Sequence, residues 1–208
     1  MKYEILKLLK EKRDYISGEE MAKHFGVSRT AVWKNITKLK NEGYNIKSVS
    51  NKGYFLEETN DILNISEIEY DNTLFLETID STNEECKRQA VKGKNDGLLV
   101  VCDYQSAGKG RLGRTWVAES HDNLCMSFLL YPDISPMKAP QLTLLTGMAV
   151  CEAIKEVTGL NAGIKWPNDI LVNGKKVVGI LTELSAEIDC IKYVVVGIGI
   201  NVNNSSFS

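Results

Sequence analysis

Apolar residues recur at helical spacing through the first forty residues of the chain. The pattern predicts a helix over residues 2–12 and two further helices, which begin after Ser17 and after Ser28. Serine is favoured directly before a helix because its side-chain oxygen accepts a hydrogen bond from an unpaired backbone N–H. Gly26 separates the second and third helices and permits a sharp turn. This segment therefore predicts a helix-turn-helix in which the third helix is the recognition helix.

A β-hairpin is predicted directly after these helices. Residues 44–56 form two short apolar segments that turn near Asn51-Lys52-Gly53. A helix-turn-helix followed by such a hairpin resembles a winged helix, so we expect cations to meet phosphates and hydroxyls to reach base edges. The expected DNA-binding residues are Ser28, Arg29, Thr30, Lys34, Lys47 and Lys52. The alternative is that the three helices serve protein contact alone.

Strands outnumber helices in the rest of the chain. Apolar runs at residues 74–76, 98–102, 124–130, 177–184 and 191–196 predict strands. Asn173-Gly174 signals a tight hairpin and hence antiparallel pairing. One helix is expected to begin at Ser81, which has the Ser-x-x-Glu spacing of a capping box, and another to cover about residues 136–157. The latter is largely apolar, which predicts a core helix.

The fold class that follows is α+β, with an N-terminal winged helix-turn-helix and a mixed-sheet domain. A polar, acidic stretch at residues 57–65 predicts a linker, so the domains are expected at 1–60 and 66–208. Charge divides the chain in the same way. Residues 1–56 carry twelve Lys/Arg against six Asp/Glu, a charge of +6, whereas the whole chain carries −2. A basic first part on an acidic body indicates an anionic partner, and nucleic acid is the obvious candidate.

Composition disfavours several other classes of protein. No apolar run approaches transmembrane length and the N-terminus lacks a signal peptide, so no membrane association is expected. The five cysteines occur singly without a C-x-x-C pair, which argues against a disulfide framework or zinc site and for a reducing cytoplasm. Only His24 and His121 are present, so a histidine-based catalytic triad or metal cluster is not expected.

A glycine-rich, cationic loop follows the strand predicted at residues 98–102. Between Asp103 and Trp116, three glycines alternate with Lys109, Arg111 and Arg114. Glycine allows backbone N–H groups to approach an anion closely, and the cations supply charge where a phosphate or carboxylate would lie. The segment predicts an anion-binding loop, and a flexible surface loop is the plainer alternative.

Two familiar phosphate-binding motifs nearly match this loop. The spacing Gly108-x-Gly110-x-x-Gly113 fits the dinucleotide fingerprint, and Gly108 with Gly113-Arg-Thr approaches a P-loop. Both motifs require a helix directly after the glycines, because the helix N-terminus holds the phosphate. Residues 116–123 are short and polar and precede another apolar run, so the sequence predicts strand, loop, strand and disfavours both motifs.

Five motifs occur in one order along the acidic part of the chain. They are Ser81-Thr-Asn83, Tyr104-Gln105-x-x-Gly-Lys-Gly-Arg-x-Gly-Arg-x-Trp116, Lys165-Trp-Pro-Asn-Asp169, Gly179-Ile-Leu-x-Glu183 and Gly197-x-Gly-Ile-Asn201. Together with the basic N-terminal segment, they resemble the biotin protein ligases that carry a repressor domain. Each motif is weak alone, and the five in register are specific.

This resemblance implies a two-step reaction. Biotin and Mg-ATP would form biotinyl-5′-adenylate, and a lysine of a biotin carboxyl carrier protein would then accept the biotin, with no bound prosthetic group. The adenylate would also act as corepressor, favouring a homodimer that binds operator DNA. A biotin-sensing regulator without ligase turnover and a lipoate-type ligase are the alternatives.

The resemblance also assigns roles to residues. Biotin contacts would come from Ser81, Thr82, Asn83 and Gln105, with Gly108, Lys109, Gly110, Arg111, Gly179, Gly197 and Gly199 completing the substrate site. Lys165 and Arg111 would be catalytic, although a lysine beside Trp and Pro can also be purely structural. Arg114, Trp116 and Asn201 would bind the nucleotide, and Asp169 would lie on the magnesium side.

The chain departs from the family pattern at two places. The family usually has arginine where this chain has Lys109, which loses a bidentate fork. Family members also continue into a small C-terminal β-barrel, whereas this sequence ends at Ser208 in an expected loop. A catalytic domain with an incomplete C-terminal part is therefore expected.

Overall fold

The computed structural model describes residues 1–57, 62–65, 68–93, 96–118 and 122–204. It separates into two units, Met1–Ser66 and Glu67–Ser208. Part of the predicted linker, His121 and the chain end after residue 204 lie outside the described residues. Within those residues, no helix combines the length and the apolar character needed to cross a bilayer.

The described residues of the first unit form three α-helices and a hairpin. They are α1 (Lys2–Lys12), α2 (Gly18–Phe25), α3 (Arg29–Asn41), β1 (Ile46–Val49) and β2 (Gly53–Leu56). The Ser17 and Ser28 hydroxyls accept hydrogen bonds from the third residue after each, at 3.0 and 3.1 Å, so both predicted caps are confirmed. Ile5, Val32 and Leu39 lie in the core between the helices. The predicted helix-turn-helix with a following hairpin is confirmed.

The hairpin is anchored to the chain segment that precedes α2. Ile16 and Tyr54 exchange two backbone hydrogen bonds of 2.9 Å each, which adds a short third edge to the β1–β2 pair. Gly53 begins β2 with φ of +108°, and a Cβ atom there would lie 2.2 Å from the carbonyl oxygen of Ile16. Only glycine fits this position, because other residues would be strained in φ and would collide with backbone.

The second unit is built on one mixed sheet. Its elements are β3 (Thr73–Ile79), α4 (Thr82–Val91), β4 (Leu98–Gln105), β5 (Asn123–Leu130), α5 (Ala139–Thr158), β6 (Ala162–Lys165), β7 (Asp169–Val172), β8 (Lys175–Ala186) and β9 (Ile191–Asn201). The strand order is β3-β4-β5-β9-β8-β7-β6, and only β3 and β4 are parallel among these pairs. The α+β class and the Asn173-Gly174 hairpin are confirmed, since both turn residues have positive φ.

The two faces of the sheet carry different elements. Side chains alternate between faces along a strand. On β9, Val196 and Ile198 join the apolar cluster that includes Cys151 of α5. Val195 instead packs with Cys86 of α4. The sheet therefore has α5 on one face and α4 on the other.

One expectation about the helices is wrong, and a second holds for one face of its helix only. Ser81 precedes α4, but its side chain makes no capping hydrogen bond, because the first turn of this helix is buried against the sheet. The α5 helix is not buried all round: Leu145 and Met148 are 60% and 58% exposed. Only one stripe of this helix faces the sheet, so its apolar composition overstated its burial.

We predict that Gly53→Ala destabilises the hairpin by about 2 kcal/mol or more, because the new Cβ collides with the Ile16 carbonyl and the φ angle is strained. Amide hydrogen exchange in β1 and β2 should accelerate. Gly18→Ala is the matched control, since its Cβ would meet only the Tyr54 ring at an ordinary 3.4 Å. Equal protection of the hairpin in both variants would contradict this account.

Candidate functional site

A row of cross-strand partners crosses the α4 face of the sheet. From the β6 edge inward, the row is Lys165, Asp169, Gly179, Gly199, Cys125 and Cys102. Directly opposed residues in antiparallel strands point to the same face. The two adjacent glycines leave a trough in that face, because neither has a side chain to fill it.

Trp116 lies in the trough. A Cβ atom at Gly199 would approach its indole to 2.4 Å, and one at Gly179 would approach it to 2.8 Å. The buried indole N–H has no hydrogen bond of ordinary geometry among the described residues, although the Cys125 thiol is close enough to interact with it. These glycines thus accommodate a side chain of the protein, and the contact of Trp116 with adenine stays a prediction.

A buried polar cluster adjoins the trough at the start of α4. The backbone N–H and the hydroxyl of Thr82 donate to Gln105 Oε1, at 2.8 and 3.1 Å. The Ser127 hydroxyl lies 2.7 Å from the Thr82 hydroxyl and 2.6 Å from Asn83 Oδ1. Ser127 is fully buried on β5 and was not among the expected site residues. The available signal was a single serine within the apolar run at residues 124–130.

The Asn83 amide is inserted against the backbone of the sheet. Its nitrogen donates to Glu183 Oε2 at 2.8 Å. A Cβ atom at Gly197 would lie 2.1 Å from Asn83 Oδ1, so the amide occupies the space that a side chain would take there. Gly197 therefore serves the packing of Asn83, and direct contact of this glycine with a ligand stays a prediction.

Ion pairs connect this cluster to the glycine-rich loop. Glu183 pairs with Lys87 at 2.7 Å, and Lys87 pairs with Glu84 at 2.8 Å. Glu84 in turn pairs with Lys109 of the loop at 2.6 Å. The Lys109 ammonium, followed by that of Lys87, lowers the pKa of the Glu84 carboxyl. The loop cation is thus held against the first turn of α4.

The loop itself folds back as a narrow hairpin. Gly110 N–H donates to the Arg114 carbonyl at 2.8 Å, and Trp116 N–H donates to the Gly108 carbonyl at 2.9 Å. A single 3-10 turn at Arg111–Gly113 forms its tip. The predicted order of strand, loop and strand is confirmed, so the dinucleotide and P-loop motifs are ruled out for this segment.

Polar contacts tie Arg111 to the segment between β6 and β7. Arg111 donates to Asn168 Oδ1 at 2.6 Å, and Asn168 Nδ2 is 3.1 Å from Asp169 Oδ1. Asp169 also forms an ion pair of 2.8 Å with Lys176. Asn168 and Lys176 were not among the expected site residues, although Asn168 belongs to the Lys-Trp-Pro-Asn-Asp motif.

These elements enclose a cavity of about 50 Å³. Expected residues that line it are Ser81, Thr82, Asn83, Gln105, Lys109, Gly110, Arg111, Trp116, Gly179, Gly197 and Gly199. Asn168 and Lys176 also line it.

Five expected residues do not line the cavity. Gly108 lies at the base of the loop hairpin, where its carbonyl accepts from the Trp116 N–H and a Cβ atom would lie 2.2 Å from the Trp116 carbonyl oxygen. Arg114 is exposed. Asn201 donates to the Lys176 carbonyl at 3.2 Å. Asp169 forms an ion pair with the Lys176 ammonium, so the role of Asp169 on the magnesium side stays a prediction. Lys165 is exposed at the end of β6, on the same face as Asp169, and is not part of the cavity wall.

Comparison with known proteins follows the same division of the chain. The sequence profile of the biotin/lipoate A/B protein ligase family matches residues 75–201, and a helix-turn-helix domain profile matches residues 2–55. The chain belongs to the biotin/lipoate A/B protein ligase family.

Individual relatives agree with this membership. The bifunctional ligase/repressor BirA of Bacillus spizizenii is 44% identical over 201 residues, which are 93% of this chain and 62% of that protein. The chain therefore spans about three fifths of the length of that relative.

Solved structures show the same likeness. The Aquifex aeolicus biotin protein ligase in complex with biotin and ATP has a TM-score of 0.55 at 38% identity, covering 67% of this chain and 56% of that one. The Leishmania major enzyme in complex with biotinyl-5-AMP has a TM-score of 0.58 at 29% identity, covering 67% and 60%.

We predict that Gly197→Ala lowers the free energy of unfolding by about 1–3 kcal/mol, because the new methyl group must displace the Asn83 amide from its partners. Urea denaturation measures the change. Gly163→Ala on β6 is the control, since no atom lies within 4 Å of its added Cβ. A Gly197 variant as stable as the control would show that Asn83 can move aside without cost.

We also predict a pH-dependent contribution from Asp80, which precedes α4. Two hydrogen bonds from Arg88, supported by the Ser81 N–H, lower the pKa of the Asp80 carboxyl from about 3.8 to about 2. The stabilisation is therefore complete above about pH 4 and is lost as pH falls towards 2. The difference in melting temperature between the wild type and Asp80→Asn should shrink over that interval. A difference that stays constant from pH 7 to pH 2 would refute the ion pair.

Proposed function

We propose that the second unit activates biotin with Mg-ATP and supplies it to a biotin carboxyl carrier protein. The biotin carboxylate attacks the α-phosphate of ATP, forming biotinyl-5′-adenylate and releasing pyrophosphate. A lysine amine of the carrier then attacks the acyl carbon, an amide forms, and AMP leaves. Magnesium enters as part of the nucleotide substrate.

The observation that carries this proposal is the meeting of a buried polar cluster and several cations at one cavity. Gln105, Asn83 and the hydroxyls beside them are buried donors and acceptors at this cavity. The ureido ring of biotin has two N–H donors and a carbonyl acceptor, whereas the dithiolane ring of lipoate offers no comparable groups. The polarity of this cavity therefore favours biotin over lipoate.

The cations of the cavity wall suit the joining of two anions. A carboxylate and a phosphate repel each other, so fixed positive charge and aligned backbone N–H groups lower the barrier by bringing them together. Lys109, Arg111 and Lys176 provide that charge at the cavity wall. The reaction needs no covalent enzyme intermediate.

The first unit, we propose, binds operator DNA when the adenylate is bound. Arg29, Thr30 and Lys34 are exposed along α3, as a recognition helix requires, and the helix-turn-helix profile covers this region. The adenylate acts as corepressor by favouring a homodimer, whose two recognition helices reach both halves of a palindromic site. Such a protein works in the cytoplasm, where operator and carrier are both present.

Incubation of the chain with labelled biotin, Mg-ATP and a carrier domain tests the proposal. Labelled carrier supports the complete reaction. Adenylate without transfer supports the alternative of a biotin-sensing regulator. Calorimetric competition with lipoate separates the remaining alternative, because tighter binding of lipoate would displace biotin as the substrate.

We predict that Lys176→Ala and Lys165→Ala both slow adenylate formation, measured as pyrophosphate release. Loss of either cation should lower the rate of adenylate formation roughly a hundredfold, the usual effect of removing one electrostatic contact to a transition state. Lys192→Ala is the control, because this lysine pairs with Glu187 at the β8–β9 turn. An unchanged rate for Lys165→Ala would restrict the reactive charge to the cavity wall.

A further inference from the structure

An exposed indole lies on the face of α3 that carries the expected DNA contacts. Trp33 is 56% exposed, whereas its neighbour Val32 is fully buried. With Arg29 and Thr30, the indole borders a groove of about 730 Å³ whose other wall belongs to the hairpin. A single exposed apolar side chain is ordinary on a protein surface. The position of this one, in a groove beside two expected DNA contacts, is what calls for an explanation.

The polar side chains that follow on α3 are bonded to the backbone of the helix. Asn35 Nδ2 donates to the Ala31 carbonyl at 2.7 Å, and Thr37 Oγ1 donates to the Trp33 carbonyl at 2.9 Å. Both groups are therefore occupied within their own helix. Trp33 and Lys34 are the exposed side chains of this turn. They are therefore the side chains through which this turn of the helix can reach a base edge.

We propose that Trp33 is a specificity-determining DNA contact that packs its indole against a thymine methyl group in the major groove. This inference rests on the proposed DNA-binding function of the first unit. The thymine C5-methyl is the apolar feature of base edges in that groove, and the indole is apolar apart from one N–H donor. Trp33 lies three residues after Thr30, a rise of about 4.5 Å, which is a little more than one base-pair step. The expected site therefore has an A·T pair one or two steps from the pair that Thr30 contacts.

The charge around the groove favours duplex DNA as the occupant. Arg29, Lys34 and Lys52 are exposed beside it, and residues 1–56 carry a charge of +6. Glu19 is the acidic side chain among the residues that border the groove. Phosphates on both sides of a major groove would meet the cations while α3 lies between them.

The test begins with selection of binding sites by the full chain, with biotin and Mg-ATP present, from duplexes with a randomised core. Each thymine of the selected site is then replaced by deoxyuridine, which removes only the methyl group. In each half-site, one of these replacements, made singly, should weaken wild-type binding roughly fourfold, the effect expected from removing one buried methyl-sized group. Trp33→Ala should bind the selected site roughly tenfold more weakly, lose that deoxyuridine effect and keep its affinity for random duplex.

Two further variants serve as controls. Trp33→Phe keeps an apolar ring and should retain part of the deoxyuridine effect. Ile188→Ala removes an apolar side chain that is 94% exposed in the second unit and should leave the effect unchanged.

Several results would overturn the inference. If Trp33→Ala kept the full difference in affinity between thymine and deoxyuridine duplexes, the inference would be overturned and the proposed DNA-binding function would stand. If Trp33→Ala weakened binding to selected and random duplexes equally, the inference would also be overturned, since the indole would then contact the sugar-phosphate backbone. Absence of any duplex binding by the wild-type chain would remove the proposed DNA-binding function itself, and this inference with it.

Discussion

Burial of the Asn83 amide in the face of the sheet is the interaction on which the candidate site depends. An unpaired buried amide would cost about 1–3 kcal/mol, and here its oxygen meets Ser127 while its nitrogen meets Glu183. The absence of a side chain at Gly197 makes room for it. Once Asn83 is seated, the start of α4 is fixed against three strands, and Thr82 is brought to Gln105. The close approach of Asn83 to Gly197 therefore fixes the position of the whole polar cluster.

Local structure was largely predictable from local sequence. The Ser17 and Ser28 caps and the Asn173-Gly174 turn each need only a few neighbouring residues to form, and all three are present. The Ser81 capping box failed because tertiary packing replaced the local hydrogen bond that its spacing predicts. Most site residues could be named in advance only through the resemblance to a known family, since no local rule joins segments more than a hundred residues apart.

The purpose of individual glycines could not be predicted from the sequence. Gly179, Gly197 and Gly199 were expected to be part of the substrate site. In the structure, Trp116 and Asn83 lie over them. Which atoms fill the space above a glycine depends on strand register, because register decides which residues face one another. The same register places Lys165 at the outer end of the row that contains Asp169. The position of Lys165 in a motif gave no indication of whether it would line the cavity.

Charge pairing distinguishes the three cations of the cavity wall. Lys109 is bonded to the Glu84 carboxylate and Lys176 to the Asp169 carboxylate, so an incoming phosphate must compete with an existing ion pair at each. Arg111 is held by the neutral amide of Asn168. A guanidinium keeps its full charge in such a contact and has further N–H donors to offer. Since Arg111 has no carboxylate partner within the described part of the chain, we expect an anion to bind there first, before the carboxylates of the two lysines are displaced.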